Sequence, residues 1–215
     1  MATRSIAPIP AHPDVEILSE QRVWSGLFPL DVVQFRHRRF DGEVSGVRTW
    51  ELWRRGRASA LVPYDPITDQ VVLIEQFRFP ALAAGLDPVL VELPAGLCED
   101  GETPEATIRR EMREEMAMDA DLVEWAGAYI LTAGGSEEVC DLFVGRVTAP
   151  ATDADGIAWH SGEAAEHEDI RVRVWPAATA IEAALAGRFP NSITTIGLLW
   201  LAARRDWLRQ LWMTS

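Results

Sequence analysis

Lysine is absent from this sequence, and all 20 of its basic residues are arginine. Mechanisms that depend on a lysine, such as Schiff-base formation or a phosphate-binding loop lysine, are therefore excluded. Cysteine is scarce as well. Only Cys98 and Cys140 occur, and neither lies in a C-x-x-C metal-binding spacing. We expect both to be reduced thiols of a cytoplasmic protein.

Long apolar runs and an excess of positive charge are also missing. No run approaches the roughly 18 apolar residues of a membrane-spanning helix, and the N-terminal residues lack the apolar stretch of a signal peptide. The net charge of −13 argues against nucleic acid as the main partner, because no basic stripe could release its counterions. The negative net charge does not exclude a small anionic substrate, because bound metals and local arginines can make the electrostatic potential inside one cleft positive.

The pattern of apolar and turn residues predicts an α/β fold of the α+β type. Runs rich in β-branched and aromatic residues at 30–37 and 47–53 predict a small N-terminal antiparallel sheet. Further strands are predicted at 58–63, 70–77, 89–93, 122–131, 139–147 and 170–174, and helices at 104–116, 177–185 and 193–211. A long loop is predicted at 148–169. Because strands and helices intermix, we expect a mixed sheet between helices.

The helix predicted at 104–116 has a clear start and a clear apolar side. Thr103 can cap its N-terminus, and Pro104 suits the first helical position. Ile108, Met112 and Met116 recur at i, i+4 and i+8, which predicts that this side packs on the sheet.

Three glutamates crowd another face of the same helix. Glu111, Glu114 and Glu115 stand at i, i+3 and i+4, so a helix that turns about 100° per residue projects them together. Like charges at this spacing repel each other. Hard divalent cations, which prefer carboxylate oxygens, are the simplest reason to keep them there.

These glutamates belong to a longer motif that resembles the Nudix box, G-x5-E-x7-R-E-U-x-E-E-x-G-U, where U is a bulky apolar residue. Gly96 and Glu102 match its beginning, and Arg110-Glu111-Met112 and Glu114-Glu115 match its core. The departure is Ala117, where the family has glycine. A residue just past a helix often adopts a left-handed conformation, which costs alanine roughly 1 kcal/mol. The resemblance implies the Nudix α/β/α sandwich.

Beyond this motif, the chain from about Asp14 onward resembles the ADP-ribose pyrophosphatase branch of the Nudix hydrolases. The matching segments are 28–31, 55–56, 72–78, 92–96, Gly134-Gly135 with Glu138, and 166–170. Ala133 is a departure, because the branch commonly has a proline there. The resemblance implies a Nudix hydrolase domain at 57–215 and an N-terminal arm and β-sheet at 1–56. In that branch the N-terminal sheets form homodimers and complete the partner's site.

The resemblance also implies a site for two or three Mg²⁺ ions, with Mn²⁺ as an alternative. Glu111 and Glu115, one helical turn apart, would be direct ligands. The backbone carbonyl of Ala95 and the carboxylate of Glu168 would be further ligands, and Glu114 would act through water.

For catalysis, the resemblance implies that Glu166 is the general base. The alternative is that residues 163–169 form an acidic, solubilising loop, in which His167 is a bystander. Arg110 would orient the carboxylates, and Glu102 would brace the loop before the helix.

Substrate-binding positions implied by the branch lie on both sides of the motif: Phe28, Trp50, Glu51, Arg55, Arg78, Leu97, Gly134 and Glu138. Arg78 could pair with a phosphate or ribose oxygen through its planar fork, or form a surface ion pair. Trp50 stands where the branch often has an arginine, so it either stacks on the base or packs in the core. Leu97 is expected to be a packing wall.

The leading hypothesis is Mg²⁺-dependent hydrolysis of ADP-ribose to AMP and ribose 5-phosphate. A second is hydrolysis of another nucleoside diphosphate sugar such as GDP-mannose, which the absent proline and Trp50 favour. A third, of a different class, is a Nudix module that binds a nucleotide as a sensor without cleaving it.

Overall fold

The computed structural model describes residues 6–162 and 168–213. The chain divides into two compact units, one formed by residues 1–57 and 130–139 and the other by residues 58–129 and 140–215. The strands are β1 (Val15–Trp24), β2 (Leu30–His37), β3 (Arg48–Trp53), β4 (Arg57–Asp65), β5 (Gln70–Phe77), β6 (Val89–Glu92), β7 (Ala95–Leu97), β8 (Leu122–Ile130), β9 (Val139–Arg146), β10 (Ile157–Ser161) and β11 (Ile170–Pro176). The helices are α1 (Phe79–Ala83), α2 (Pro104–Met116), α3 (Ala177–Leu185) and α4 (Ser192–Met213).

The smaller unit is built on an antiparallel sheet in the order β1-β2-β3. Its interior contains a charged group, because Arg54 and Asp31 are 5% and 1% exposed and lie 3.1 Å apart. Arg22 also binds Asp31, and Glu20 and Glu137 bind Arg54. Removing one charge of such a buried ion pair leaves the other charge unpaired, which destabilises the fold.

The larger unit contains an eight-stranded sheet with β10-β11-β5-β4-β9-β8 as its main path, while β6 pairs with β5 and β7 with β4. Successive residues of β4 point to opposite faces, as strand geometry requires. Leu61 joins the core cluster that contains α2. A Cβ placed on Gly197 of α4 would touch Val62. Helices therefore cover both faces, which confirms the predicted α/β/α sandwich.

Helix α2 packs on the sheet through its predicted apolar stripe. Ile108, Met112 and Met116 are fully buried and cluster with Val72 and Ile74 of β5. Burying such a side chain is worth about 1.5–3 kcal/mol, so this stripe fixes which side of α2 faces away from the sheet.

The two ends of α2 follow the local sequence signals. The Thr103 hydroxyl accepts from the amide of Ala106 at 3.2 Å, and Pro104 begins the helix. At the other end, Ala117 is left-handed, with φ 52° and ψ 35°. The amide of Ala117 donates to the carbonyl of Arg113 at 3.0 Å and that of Met118 to the carbonyl of Met112 at 3.2 Å, so carbonyls of the last turn are satisfied. Ala117 therefore adopts the left-handed conformation for which the motif has glycine.

The prediction of one long loop at 148–169 is wrong. Residues 157–161 form β10, which pairs antiparallel with β11, Ser161 opposite Ile170. The run Ile157-Ala158-Trp159 is short and follows an alanine-rich, acidic segment, so its strand character depends on pairing rather than on local pattern. In the described part of the chain, no helix is long and apolar enough to cross a membrane.

Candidate active site

Two glutamates of α2 are drawn into the interior of the larger unit. Glu115 is 3% exposed, and its Oε2 accepts from the amide of Ala95 at 3.0 Å. Glu111 lies against Gly96, where an added Cβ would approach Oε1 of Glu111 to 1.7 Å. Strand β7 and α2 therefore fit together around these carboxylates, and a side chain at position 96 would overlap the Glu111 carboxylate in its present position.

Burial and mutual repulsion make these carboxylates unusually hard to ionise. The pKa of Glu111 is raised to about 7, mainly by burial and with smaller contributions from the charges of Glu114 and Glu168, against the opposing effect of Arg110. Burial also raises the pKa of Glu115 well above its usual value, with added repulsion from Glu111 and Glu168. A site that raises several carboxylate pKa values in this way favours a bound cation.

Arg110 binds three glutamates on the exposed side of the acidic cluster. It donates to Glu102 through Nε at 3.0 Å, and through Nη1 to Glu111 at 2.9 Å and to Glu114 at 2.7 Å. Glu102 also accepts from the Thr107 hydroxyl, and its hydrogen bonds with Arg110 lower its pKa to about 2. Glu102 thereby ties the loop before α2 to the helix.

The chain after β10 brings a further carboxylate to this cluster. Gly162 follows β10, and a Cβ built there would lie 2.9 Å from Cβ of Glu168. Glu168, two residues before β11, is near enough to Glu111 and Glu115 to raise both of their pKa values. Glu166, the predicted general base, and His167 lie outside the described residues.

The chemistry of these donors fits a hard divalent cation, because Glu111, Glu115 and Glu168 offer carboxylate oxygens and Ala95 a carbonyl. In their present positions, the acidic, histidine and cysteine side chains of residues 6–162 and 168–213 form no group of three that could hold a metal ion. The hydrogen bond from Arg110 Nη1 to Glu111 Oε1 contributes to this arrangement. A cation would replace the arginine as the neutralising charge on that oxygen.

The two other predicted residues of the larger unit lie beside this cluster. The positive charge of Arg78 opposes the rise in the pKa of Glu115, so Arg78 lies in the neighbourhood of the buried carboxylates. Nε of Arg78 donates to Glu92 at 2.8 Å. Leu97 is half-buried in β7, opposite Ala58, and its carbonyl accepts from Arg110.

The smaller unit brings together three other predicted residues. Nε of Arg55 donates to Glu138 at 2.7 Å. The same guanidinium lies 4.3 Å from the ring centroid of Phe28 and 4.6 Å from that of Trp53. Cations at this distance are attracted to aromatic faces, so this cluster is held by both charge and stacking.

Trp50 and Gly134 also meet in the smaller unit, since Nε1 of Trp50 donates to the Gly134 carbonyl at 2.9 Å. The Trp50 ring lies 6.2 Å from the Phe35 ring, centroid to centroid. The guanidinium of Arg48 lies over the Trp50 ring, 5.2 Å from its centroid. Glu51 is exposed on β3. The indole nitrogen of Trp50 is thus held by a hydrogen bond, while the side chain is half-exposed.

Sequence reasoning missed two residues that organise these clusters. Trp53 completes the stack on Arg55, although alternation along β3 could have identified it as an exposed aromatic. Glu92 holds Arg78, and its only sequence signal was its place in the matching segment 92–96.

Known proteins resemble this chain over most of its length. The family model of the NUDIX domain matches residues 54–191. ADP-ribose pyrophosphatase of Escherichia coli strain K12 is 38% identical over 199 residues, which cover 93% of each chain. GDP-mannose pyrophosphatase of Cronobacter sakazakii is 30% identical over 192 residues, or 89% of this chain and 96% of that protein.

A solved structure, that of an ADP compounds hydrolase, matches with a TM-score of 0.67 and covers 95% of this chain and 99% of its own. At 19% sequence identity this likeness shows the shared fold. The family model covers more than half of the chain, and the relatives extend over nearly all of it. The protein therefore belongs to the Nudix family.

Proposed function

We propose that this protein is a Mg²⁺-dependent pyrophosphohydrolase that cleaves ADP-ribose to AMP and ribose 5-phosphate. The observation that carries the proposal is the pair of glutamates Glu111 and Glu115, whose pKa values are raised by burial and by the charge of nearby Glu168. The substrate is inferred from the relatives, because the 38% identical E. coli protein is an ADP-ribose pyrophosphatase.

The chain's own residues divide the work of such a reaction. Glu111, Glu115, Glu168 and the Ala95 carbonyl would hold two or three Mg²⁺ ions, which would neutralise the diphosphate and lower the pKa of an attacking water. Arg110 keeps the carboxylates in place, with Glu114 beside it.

Substrate contacts are proposed for Phe28, Trp50, Glu51, Arg55, Arg78, Leu97, Gly134 and Glu138. Arg78 would bind a phosphate or ribose oxygen. Arg55 and Phe28 would contact the nucleoside of the substrate, and the half-exposed Trp50 ring would stack on its base. Glu166 is proposed as the general base, because the neighbouring Glu168 lies by the carboxylate cluster.

We also propose a cytoplasmic homodimer with the N-terminal sheet as its interface. Strand β1 is the edge of its sheet, and all ten of its residues are exposed. Trp24 is 64% exposed and Val23 50%. An edge strand with exposed apolar side chains is a common place for a partner. Cys98 and Cys140 are thiols rather than halves of a disulfide, which suits a reducing compartment.

GDP-mannose hydrolysis is the second candidate function. The 30% identical GDP-mannose pyrophosphatase supports it, as does Trp50, whose position can select the base. A nucleotide sensor without activity would bind these compounds and leave them intact.

A substrate panel tests the proposal. The protein is incubated with MgCl₂ and with ADP-ribose, GDP-mannose, diadenosine polyphosphates or NADH, and products are measured as phosphate after phosphatase treatment. We expect the highest kcat/KM with ADP-ribose and no turnover in EDTA. Preference for GDP-mannose would establish the second candidate. Binding of ADP-ribose in a thermal-shift assay without turnover of any compound would contradict an enzyme.

A further inference from the structure

Glu92 is a buried acid that none of the roles above uses. It ends β6, is 3% exposed and lies opposite Ile74 of β5. Three donors from different elements converge on its carboxylate. Nε of Arg78 and Nε2 of Gln76 donate to Oε2 at 2.8 and 3.3 Å, and Nδ2 of Asn191 donates to Oε1 at 2.5 Å. Both oxygens are therefore engaged.

The amide of Asn191 cannot turn away from Glu92. Its Oδ1 accepts from the backbone amide of Thr194 at 3.1 Å and from the Thr194 hydroxyl at 3.2 Å, which caps the start of α4. The same hydroxyl accepts from the amide of Leu93 at 3.2 Å. Because Oδ1 is used by the helix cap, Nδ2 must face Glu92. The orientation of the carboxylate is thus set by α4.

Glu92 in turn sets the orientation of Arg78. The guanidinium is planar, so a hydrogen bond at Nε defines the plane and direction of Nη1 and Nη2. Among the described residues, those two nitrogens make no hydrogen bond, and the Arg78 side chain is 42% exposed. Glu92, which binds Arg78, stands three residues before Ala95, whose amide donates to buried Glu115. The charge of Arg78 also acts on Glu115, so Arg78 lies in the neighbourhood of the acidic cluster.

We propose that Glu92 is a positioning residue that, held by Asn191 and Gln76, aims the free nitrogens of Arg78 at a phosphate or ribose oxygen of the substrate. This inference rests on the proposed function, because it assigns Arg78 to the same site. A phosphorylated or hydroxylated ligand is the chemistry that two parallel N–H groups recognise. Arg78 without this constraint would have to be ordered by the substrate, which weakens binding.

The variant Glu92→Gln tests the proposal with little change in shape. A glutamine has one acceptor oxygen for donors that now use two, so either Arg78 or Asn191 faces an N–H₂ group. We compare four proteins, namely wild type, Glu92→Gln, Arg78→Ala and the double variant. Asp69→Asn is the control. It removes an acid that binds Arg205 at the turn before β5, the opposite end of that strand from Arg78.

We expect Glu92→Gln to raise KM about tenfold with kcat changed less than about threefold, the pattern of lost uniform binding. In the Arg78→Ala background, the same substitution should change KM less than about twofold. Asp69→Asn should leave KM unaltered whatever it does to the melting temperature. An equal KM effect of Glu92→Gln in both backgrounds would overturn the proposal, as would an unchanged KM.

Failure of the hydrolase proposal can be distinguished from failure of the positioning role of Glu92. If wild type turns over no compound of the panel, the hydrolase proposal fails, and the same four proteins are compared by the Kd for ADP-ribose in calorimetry. Non-additive Kd values would still support the positioning role. Additive values, or no binding by wild type, would overturn it.

Discussion

Glu111 lies so close to the backbone of Gly96 that a side chain at position 96 would displace the Glu111 carboxylate. The nearest approach of a built Cβ is 1.7 Å to Oε1 and 2.0 Å to Cδ of Glu111. Gly96 itself needs no left-handed backbone, since its φ is not positive. The glycine is required for space next to a carboxylate, and the site depends on it.

Gly96→Ala should therefore cost activity more than stability. Glu111 is 13% exposed and can swing outward to relieve the overlap, which would move a proposed metal ligand. We expect kcat/KM to fall at least about 100-fold, since loss of a ligand costs several kcal/mol of transition-state stabilisation. Gly46→Ala is the matched control, because nothing lies within 4 Å of its Cβ position. Equal activity of Gly96→Ala and wild type would contradict the assigned contact.

Glu115→Gln should abolish turnover and leave the fold intact. The glutamine oxygen can still accept from the amide of Ala95. The substitution also removes the repulsion with Glu111. We expect the melting temperature without added metal to be no lower than that of wild type, with kcat at least about 100-fold lower. Glu105→Gln, on the exposed first turn of the same helix, serves as the control and should retain activity.

Ala117→Gly should stabilise the protein. Its φ of 52° is costly for alanine and free for glycine, although glycine loses more entropy on folding. We expect a gain of about 0.5–1 kcal/mol and a rise in melting temperature of about 1–4 °C. Ala106→Gly, inside the first turns of α2, should instead lower the melting temperature. A drop with Ala117→Gly would mean that the left-handed conformation is not strained.

Asp31 should make the stability of the protein depend on pH. Hydrogen bonding from Arg22, with smaller effects of its charge and of Arg54, lowers the pKa of Asp31 below its usual value. The folded pKa is lower than the unfolded one, so the stabilisation is complete above about pH 4 and disappears as pH falls through the folded pKa.

Asp31→Asn should accordingly lower the free energy of unfolding by roughly 3 kcal/mol at pH 7, because it leaves buried Arg54 short of a partner. The difference from wild type should shrink below about pH 4. Urea denaturation at several pH values measures both. Asp14→Asn removes an exposed ion pair with Arg38 and should change stability by less than about 1 kcal/mol. A difference that stays constant into acid would contradict the role of the Asp31 charge.

Val23→Arg should convert the proposed dimer to monomers. Val23 is 50% exposed on the edge strand β1, and a buried, unpaired arginine in an interface is costly. Sedimentation of wild type and variant gives the masses. Ile67→Arg, a substitution at a 79% exposed position in a turn of the larger unit, should leave the dimer intact. Monomeric wild type would refute the proposed interface.

Short-range signals explain what could be predicted. The α2 helix with its cap, its apolar stripe and its acidic face follows from residues within four positions of each other, and the structure has it at Pro104–Met116. Strand β10 was missed because its partner, β11, supplies the reason for its extended backbone. Trp53 was missed because its role depends on Arg55 lying between two rings.

The sequence by itself predicted the acidic cluster, because the spacing of Glu111, Glu114 and Glu115 is a local property that 3.6 residues per turn converts into one face of a helix. The resemblance of that spacing to the Nudix box indicated the reaction type. Only the tertiary structure decided which groups surround that cluster. Glu92 and Asn191 are 99 residues apart in the chain and meet at 2.5 Å. Strand register and helix packing bring such pairs together, and both depend on residues far apart in the chain, so no short stretch of sequence predicts them.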